Sequence, residues 1–308
     1  MQAATPAPAL RPLGVGDILD RVFNLYRGRP LLFLALAAIP YFVFVLVLGV
    51  LLLIGAAGAL ATFGTRLFSG TQPTPAEIAG IIGAAFVFGL IILIAAIVIF
   101  STQSGALIQA SADRYLGRET TIGAAFRAGL RAAPRIFGAG LLVFLGLAIL
   151  WIVLLAIAGV LTAVTQQTAV GVLAFVAASC IGLVVTIYLA ASWLVAPVVV
   201  TLEGVGPTTA LDRSWKLADG HRWRILGIQL LLLVLQLVLS GLISAVFIVG
   251  LSQEQTVQVI VQQLVNFAAN IVWAPIQWAA FTVFYYDLRV RKEAFDLQVA
   301  AEALPTST

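Results

Sequence analysis

The sequence predicts an all-α integral membrane protein in which six transmembrane helices form three hairpins, each preceded by a cytoplasmic amphipathic helix at the membrane interface. Three observations lead to this prediction. Of the 308 residues, 62% are hydrophobic and only 10% are charged, a composition that would expose a large apolar surface if the chain were soluble. Long stretches of the sequence contain no charged residue and could cross a membrane. Nearly all basic residues lie in the segments between these stretches that would be on the same side of the membrane.

The spans follow from five intervals without Asp, Glu, Lys, Arg or His. Because an α-helix rises about 1.5 Å per residue, about 20 apolar residues cross a hydrocarbon core of roughly 30 Å. The interval 136–202 is long enough for two helices, and the polar stretch 165–168 indicates a turn between them. The capping-box pattern Thr74-Pro75-Ala76-Glu77 starts the second span near Pro75. The membrane domain, 13–297, lies between flexible tails, 1–12 and 298–308, and its spans are approximately 31–61, 78–110, 136–164, 169–202, 225–251 and 257–287.

The distribution of Lys and Arg sets the predicted orientation. All of them except Arg66 lie before the first span, between spans two and three, between spans four and five, or after span six. An even number of spans brings these four segments to one face, and cytoplasmic loops are the ones that collect basic residues. Both termini are therefore predicted to be cytoplasmic. Arg is far more frequent than Lys, as in GC-rich bacteria, so we expect a bacterial plasma (inner) membrane protein.

The orientation can be tested with reporter fusions. Residues 111–135 and 203–224 are expected on the cytoplasmic side, and residues 62–77 and 252–258 on the outer side. A reporter that is active only in the periplasm should be inactive when it is fused after Arg135, because the basic residues before it hold that segment in the cytoplasm. Periplasmic activity of this fusion would contradict the orientation.

Two cytoplasmic segments, 14–28 and 206–220, match without a gap. Each has an apolar face and a charged face, as expected of a short amphipathic helix in the headgroup plane. Asp17 and Thr209 are the expected N-caps, and a glycine ends each helix. The segment 121–135 is a weaker third copy, although any cytoplasmic amphipathic helix before a span would share such features. The matched pairs are Gly14/Gly206, Leu19/Leu211, Asp20/Asp212, Arg21/Arg213, Phe23/Trp215, Leu25/Leu217 and Gly28/Gly220.

Charged and aromatic residues of these segments are candidates for contact with anionic lipid headgroups or with a membrane protein partner. We expect Phe23 and Trp215 to face the lipid or the bundle, and Arg21 and Arg213 to face water or headgroups. The alternative is that they only anchor the bundle, as aromatic belts do. Nucleic acid is not an expected partner, because a net charge of +4 in so apolar a chain fits basic loops at a membrane surface. The candidate contact residues are Asp20, Arg21, Phe23, Arg27, Asp212, Arg213, Trp215, Arg222 and Arg224.

Three stretches of the chain resemble a known family. They are LGVGDILDRVFNLYR (13–27), PVVVTLEGVGPTTALDRSWKLADGHRWRILG (197–227) and YYDLRVRKEAFDL (285–297). They are similar to the membrane domain that some bacteria place ahead of a glycerophosphoryl diester phosphodiesterase and that also occurs alone. The resemblance covers about 13–297. It implies ancestry and not chemistry, because nothing in the chain matches the histidine pair and metal-binding carboxylates of that enzyme's catalytic barrel.

No motif predicts catalysis, a cofactor or a metal site. Group transfer needs a positioned nucleophile or base, and the single histidine, His221, follows Gly220 among basic and aromatic residues at the predicted interface. The carboxylates lack metal-ligand spacing, and the lone cysteine, Cys180, lies in an apolar interval. We therefore expect no enzyme activity and no cofactor. The charge-free intervals also argue against proton- or ion-coupled transport, which usually depends on an ionisable residue within the membrane.

Polar residues of span six recur at spacings of three and four, which places them on one face of a helix. That face should point into the bundle, because an unpaired amide in lipid costs about 2–7 kcal/mol, and Phe281 on another face should meet lipid. In one interpretation the amides join helices by bonding groups such as Gln103, Tyr188 or Gln236. In the other they line a polar cavity opened by a kink at Pro275. The residues of this seam are Gln263, Asn266, Asn270, Trp273 and Gln277.

The sequence thus predicts a multi-pass membrane protein without catalytic machinery, acting as an accessory or lipid-interacting component. The alternative is a small permease or lipid-translocating protein whose path runs between the hairpins. Pro40, Pro197 and Pro275 predict kinks in spans one, four and six. Such kinks would suit either a packed bundle or a cavity.

Overall fold

The computed structural model describes residues 11–67, 74–248 and 255–302. Within these ranges the chain forms helices and no strands. Six helical stretches are long and apolar enough to cross a membrane, which confirms the predicted all-α, multi-pass class. The helices are α1 (Val15–Gly28), α2 (Pro30–Leu67), α3 (Pro75–Tyr115), α4 (Ile122–Thr165), α5 (Thr168–Trp193), α6 (Ala196–Glu203), α7 (Pro207–Ala218), α8 (Arg222–Ile248), α9 (Gln255–Glu293) and α10 (Phe295–Glu302).

Some predicted segments lie partly outside the described residues. These are the tails 1–12 and 298–308 and the outer connections 62–77 and 252–258. The described part of the C-terminal tail is helical, because α10 continues to Glu302.

The predicted hairpins are formed by α2 with α3, α4 with α5, and α8 with α9. α3 packs most extensively on α4, and α9 packs against α1, α2, α3 and α8. In contrast, α8 packs mainly on α9 and only sparsely on α5. The boundary between α5 and α8 is therefore a loosely packed part of the bundle.

Two helix boundaries agree with the sequence prediction. The Thr74 hydroxyl accepts from the Glu77 backbone N–H, and the Glu77 carboxylate accepts from the Thr74 backbone N–H at 2.8 Å, which is the expected capping box at the start of α3. Between α4 and α5 the chain turns at Gln166, whose φ of 52° is left-handed. Its N–H donates to the Thr162 carbonyl at 3.0 Å and closes the last turn of α4.

The prolines act differently in the three spans that contain them. Predicted span four is divided, because α5 ends at Trp193 and Pro197 lies in the first turn of α6. Proline is tolerated there, since the first helical N–H groups lack a partner within the helix. Pro40 and Pro275 lie inside the continuous helices α2 and α9.

The predicted third interfacial helix, 121–135, is not a separate helix. It is the first part of α4, which continues through Pro134 to Thr165. With 44 residues at about 1.5 Å each, α4 is about 66 Å long, more than twice the hydrocarbon core of a bilayer. A Cβ on Gly129 would lie 2.3 Å from the Thr102 carbonyl oxygen, so α3 and α4 are in backbone contact here. This segment is thus a continuous part of α4 that packs closely against α3.

α1 and α7 are separate helices, as predicted, but each begins earlier than expected. The N-caps are Gly14 and Gly206 instead of Asp17 and Thr209. The Asp17 carboxylate still satisfies the end of α1, because it accepts from the Gly14 N–H at 2.8 Å. After α7 the chain turns at Gly220, whose φ is 75°. Both helices therefore start at aligned positions of the repeat.

Fully buried side chains cluster at one end of the bundle, where α1, α7 and α10 lie and where the described basic residues except Arg66 gather. We call it the charged end. Along α2, for example, Phe33 and Leu36 near this end are buried, whereas Leu46 and Leu53 further along are exposed. The charged end is the packed core of the protein, and the far ends of the spans present apolar side chains that lipid would cover.

Candidate functional site at the charged end of the bundle

The carboxylate of Asp287 in α9 has an exposed fraction of 0%. Arg224 of α8 approaches it at 3.0 Å, and Arg291, one turn further along α9, approaches it at 3.1 Å. The backbone N–H of Leu13 donates to the same carboxylate at 2.7 Å. Donors from three segments thus compensate a charge that would be costly to bury alone.

The same two arginines also hold the Leu13 backbone. Both guanidinium groups donate to the Leu13 carbonyl, that of Arg291 at 2.9 Å. We call Leu13, Arg224, Asp287 and Arg291 the Asp287 clamp. It fixes the segment before α1 to α8 and α9, so Arg224, which was predicted to contact headgroups, is used inside the protein.

Arg213 of α7 lies between two carboxylates. Its guanidinium donates to Glu203 of α6 and to Glu293 of α9, each at 2.9 Å. Hydrogen bonds to Glu293 and Glu203 raise the pKa of Arg213 above its usual value. Arg213, expected to face water or headgroups, keeps 30% of its side chain exposed, but acidic residues of two neighbouring helices bind it at the end of the bundle.

The aligned residues of α1 have different surroundings. Phe23 is 41% exposed, and Asp20 and Arg27 are exposed as well, whereas Arg21 is half-buried. Trp215, the counterpart of Phe23, is half-buried among aromatic side chains of α5. The repeat is thus retained in helix position and, for the pairs Asp20/Asp212 and Arg21/Arg213, in burial, whereas Phe23 is more exposed than Trp215.

A second group of aromatic and basic side chains lies where α5, α7 and α8 meet. The Arg222 guanidinium carbon lies 4.7 Å from the Tyr188 ring centre and 4.9 Å from the Trp215 ring centre, which are cation–π distances. Its Nε donates to the Ser192 hydroxyl at 2.9 Å. Of the predicted contact residues, only Trp215 and Arg222 are brought together here. Asp212 is exposed and pairs with Lys216 at 2.6 Å.

A groove runs from this group along α5, α8 and α9. Its first part, a cavity of about 540 Å³, adjoins a second of about 520 Å³, and Ile187 and Leu226 line both. We call the two together the lateral groove. The first part is lined by Val184, Ile187, Tyr188, Ala191, Gly220, Arg222, Trp223 and Leu226. The second adds Gln229, Leu230, Leu232, Leu233, Gln236, Trp273, Gln277 and Phe281.

The predicted polar seam of span six is divided between two environments. Trp273 and Gln277 line the lateral groove, but Gln263 and Asn266 are exposed. Asn270 donates to the backbone carbonyl of Asn266 at 2.8 Å within α9, and not to another helix. The expectation that the whole seam points into the bundle is therefore wrong.

A neighbouring face of α9 is the buried one. It contains Val265, Ala269, Ile276 and Ala280. Phe281, expected to meet lipid, is also buried. Of the proposed partners, Gln103 donates to the Ala37 carbonyl at 2.9 Å instead of bonding the seam. The buried face is therefore rotated by about one residue, or roughly 100° around the helix axis, from the face that carries the amides.

Fold and surface together define a multi-pass α-helical membrane protein with an ion-paired end and a groove along α5, α8 and α9. Within the described ranges, no group of three His, Cys, Asp or Glu side chains is arranged to hold a metal ion. The family model described as a domain of unknown function, DUF7847, matches residues 115–288. Because this match spans more than half of the chain, the protein belongs to that family. No curated protein and no solved structure matches the sequence.

Proposed function

We propose that this protein is a membrane component without catalytic activity that binds a membrane lipid in the lateral groove. One observation carries the proposal: the groove is mainly apolar along its length and has a cation between aromatic rings at its charged end. A phospholipid has the same order of chemistry, acyl chains followed by a charged headgroup. All residues that line the groove lie within the part of the chain that the family model matches.

Arg222 supports an anionic headgroup at the charged end of the groove. Its side chain is 17% exposed, whereas that of its partner Asp219 is 66% exposed, so solvent screens the pair and its contribution is about 1 kcal/mol or less. Among the described residues, Arg222 Nη2 has no hydrogen-bond partner, and guanidinium groups bind phosphate well. Trp223 beside it is 87% exposed, which suits a tryptophan at the headgroup level.

Lipid translocation is the second candidate function. The inner part of the lateral groove carries Gln229, Gln236 and Gln277, and the indole N–H of Trp273 is buried without a partner among the described residues. Polar groups within the membrane segment would let a headgroup move through the bundle without leaving its hydrogen bonds unsatisfied. Transfer of a fluorescent lipid between the leaflets of proteoliposomes would favour this candidate.

Replacing Ile187 by tryptophan should displace the bound lipid. Ile187 lines both parts of the lateral groove, so the larger side chain would occupy the space of an acyl chain. We expect about fivefold less phosphatidylglycerol to be retained by the purified protein, measured by native mass spectrometry.

The matched control is Leu183→Trp. Leu183 is exposed on the same helix and does not line the groove, so lipid retention should equal that of the unsubstituted protein. Equal retention by the two variants would contradict the proposal.

We also propose that the charged end faces the cytoplasm of a bacterial cell, with both termini on that side. The one-sided distribution of Lys and Arg supports this orientation. The exposed side chains Asp20, Phe23 and Arg27 would then be available to anionic lipids or to a membrane protein partner. Common ancestry with the glycerophosphoryl diester phosphodiesterase membrane domain remains a proposal, supported by the three similar stretches of sequence.

A further inference from the structure

A small polar cavity of about 160 Å³ lies at the charged end, separate from the lateral groove. It is an open cavity lined by residues of α3, the loop after α3, α6, α9 and the start of α10. A water molecule takes about 30 Å³ of liquid, so the cavity has room for a solute of amino-acid size. Its lining residues are Gln109, Ala112, Asp113, Leu116, Arg118, Leu202, Glu203, Tyr285, Tyr286, Arg289 and Phe295.

Several polar groups in the wall already have partners within the protein. Glu203 is bound by Arg213 and accepts from the Tyr285 hydroxyl at 2.7 Å. Arg289 donates to Glu293 at 3.0 Å and lies over the ring of Phe295. These groups shape the cavity, and Glu203 and Arg289 place one charge of each sign in its wall.

Three further lining groups can bind a ligand. Tyr286 is 5% exposed, and its hydroxyl makes no hydrogen bond with the described residues, although Arg289, Arg118 and Asp113 lie near enough to act on it electrostatically. The Asp113 carboxylate accepts from Gln109 at 3.0 Å, and a carboxylate can accept several more bonds. No carboxylate in the described part of the chain pairs with the Arg118 side chain.

We propose that this cavity binds a small zwitterion, a molecule with an ammonium group and an anionic group a few atoms apart. The ammonium would bind the Asp113 carboxylate, and the anionic group would bind the Arg118 guanidinium and the Tyr286 hydroxyl. A ligand with only a negative charge would be repelled by the Asp113 and Glu203 carboxylates. A ligand with only a positive charge would be repelled by the Arg118 and Arg289 guanidinium groups. The wall therefore disfavours either single charge. The ligand is a free solute such as an amino acid or the headgroup of a zwitterionic lipid.

Calorimetric titration of the full-length protein in lipid-free detergent tests the charge requirement. L-Alanine and ethanolamine phosphate are the zwitterionic probes, and ethylamine, propionate and inorganic phosphate are the single-charge controls. We expect saturable binding of a zwitterion at least tenfold tighter than that of any single-charge control. Nanodiscs distinguish a free solute from a lipid headgroup as the ligand. If the site binds a headgroup, phosphatidylethanolamine in the nanodisc should compete with ethanolamine phosphate for the site, and phosphatidylglycerol should not.

Variants connect the binding to this cavity. Tyr286→Phe removes a hydroxyl that has no partner, so the fold should persist while zwitterion binding weakens about fivefold. Arg118→Gln should weaken it at least tenfold. Arg131→Gln, an exposed arginine outside the cavity wall, should leave binding unchanged. Absence of saturable zwitterion binding in both detergent and nanodiscs, or binding unaffected by the first two variants, would overturn the proposal and leave the lateral groove untouched.

Discussion

Asp287→Ala is expected to destabilise the bundle by about 3–5 kcal/mol, the usual cost of removing one partner of a buried ion pair. The substitution would leave Arg224 and Arg291 close to each other without their shared carboxylate, and it would leave the Leu13 N–H unpaired. The segment before α1 should then detach from α8 and α9. The free energy of unfolding in detergent measures the effect, and proteolysis before α1 reports the detachment.

Asp212→Ala is the matched control for this prediction. Asp212 is an exposed carboxylate whose ion pair with Lys216 lies on the surface of α7, so its loss should cost only about 0.3–0.5 kcal/mol. Similar losses in the two variants would show that the Asp287 clamp does not hold the charged end together.

Gly129→Leu is expected to separate α3 from α4 and to prevent stable folding. Even a Cβ at this position would lie 2.3 Å from the Thr102 carbonyl oxygen and 2.7 Å from the Ala106 backbone nitrogen. Both are backbone atoms, which cannot move aside as the end of a flexible side chain can. Overpacking usually costs about 1–3 kcal/mol, and a leucine against a backbone crossing should reach or exceed the upper limit. Yield of monodisperse protein and melting temperature are the measurements.

Gly140→Leu on the same helix serves as the control. A Cβ at Gly140 would meet nothing within 4 Å, and glycine is a poor helix former compared with leucine. This variant should therefore melt at or above the temperature of the unsubstituted protein. If the two leucine variants melted alike, the close crossing of α3 and α4 would not be required for the fold.

Hydropathy and local capping were sufficient to predict much of the fold. Six spans, the capping box at Thr74 and Glu77, and the turn at Gln166 depend on residues close together in sequence, so their signals are local. The continuity of α4 was not predictable in the same way. The arginines of 121–135 indicated a separate helix at the interface, whereas this segment is a continuous part of α4 and packs through Gly129 against α3.

The candidate sites depended more on long-range contacts, and sequence reasoning missed most of them. Asp287 directly follows a charge-free interval and therefore resembled an ordinary residue at a helix end, but its Leu13 partner lies 274 residues away. The periodicity of span six correctly grouped its amides on one face. Periodicity does not show which face of α9 is buried against the other helices. In the structure the buried face carries Val265 and Ala269 and not the amides. The lateral groove likewise lies where α5 and α8 pack only sparsely on each other. Packing between helices that are distant in sequence is not predicted by a local sequence pattern.

The central functional claim is that the lateral groove holds a lipid. The most direct test is a cryo-electron microscopy map of the protein in nanodiscs that contain phosphatidylglycerol. We predict continuous acyl-chain density along Ile187 and Leu226, with headgroup density within hydrogen-bonding distance of the Arg222 guanidinium. A map in which α5 and α8 close against each other, or in which protein side chains fill the groove, would contradict the account.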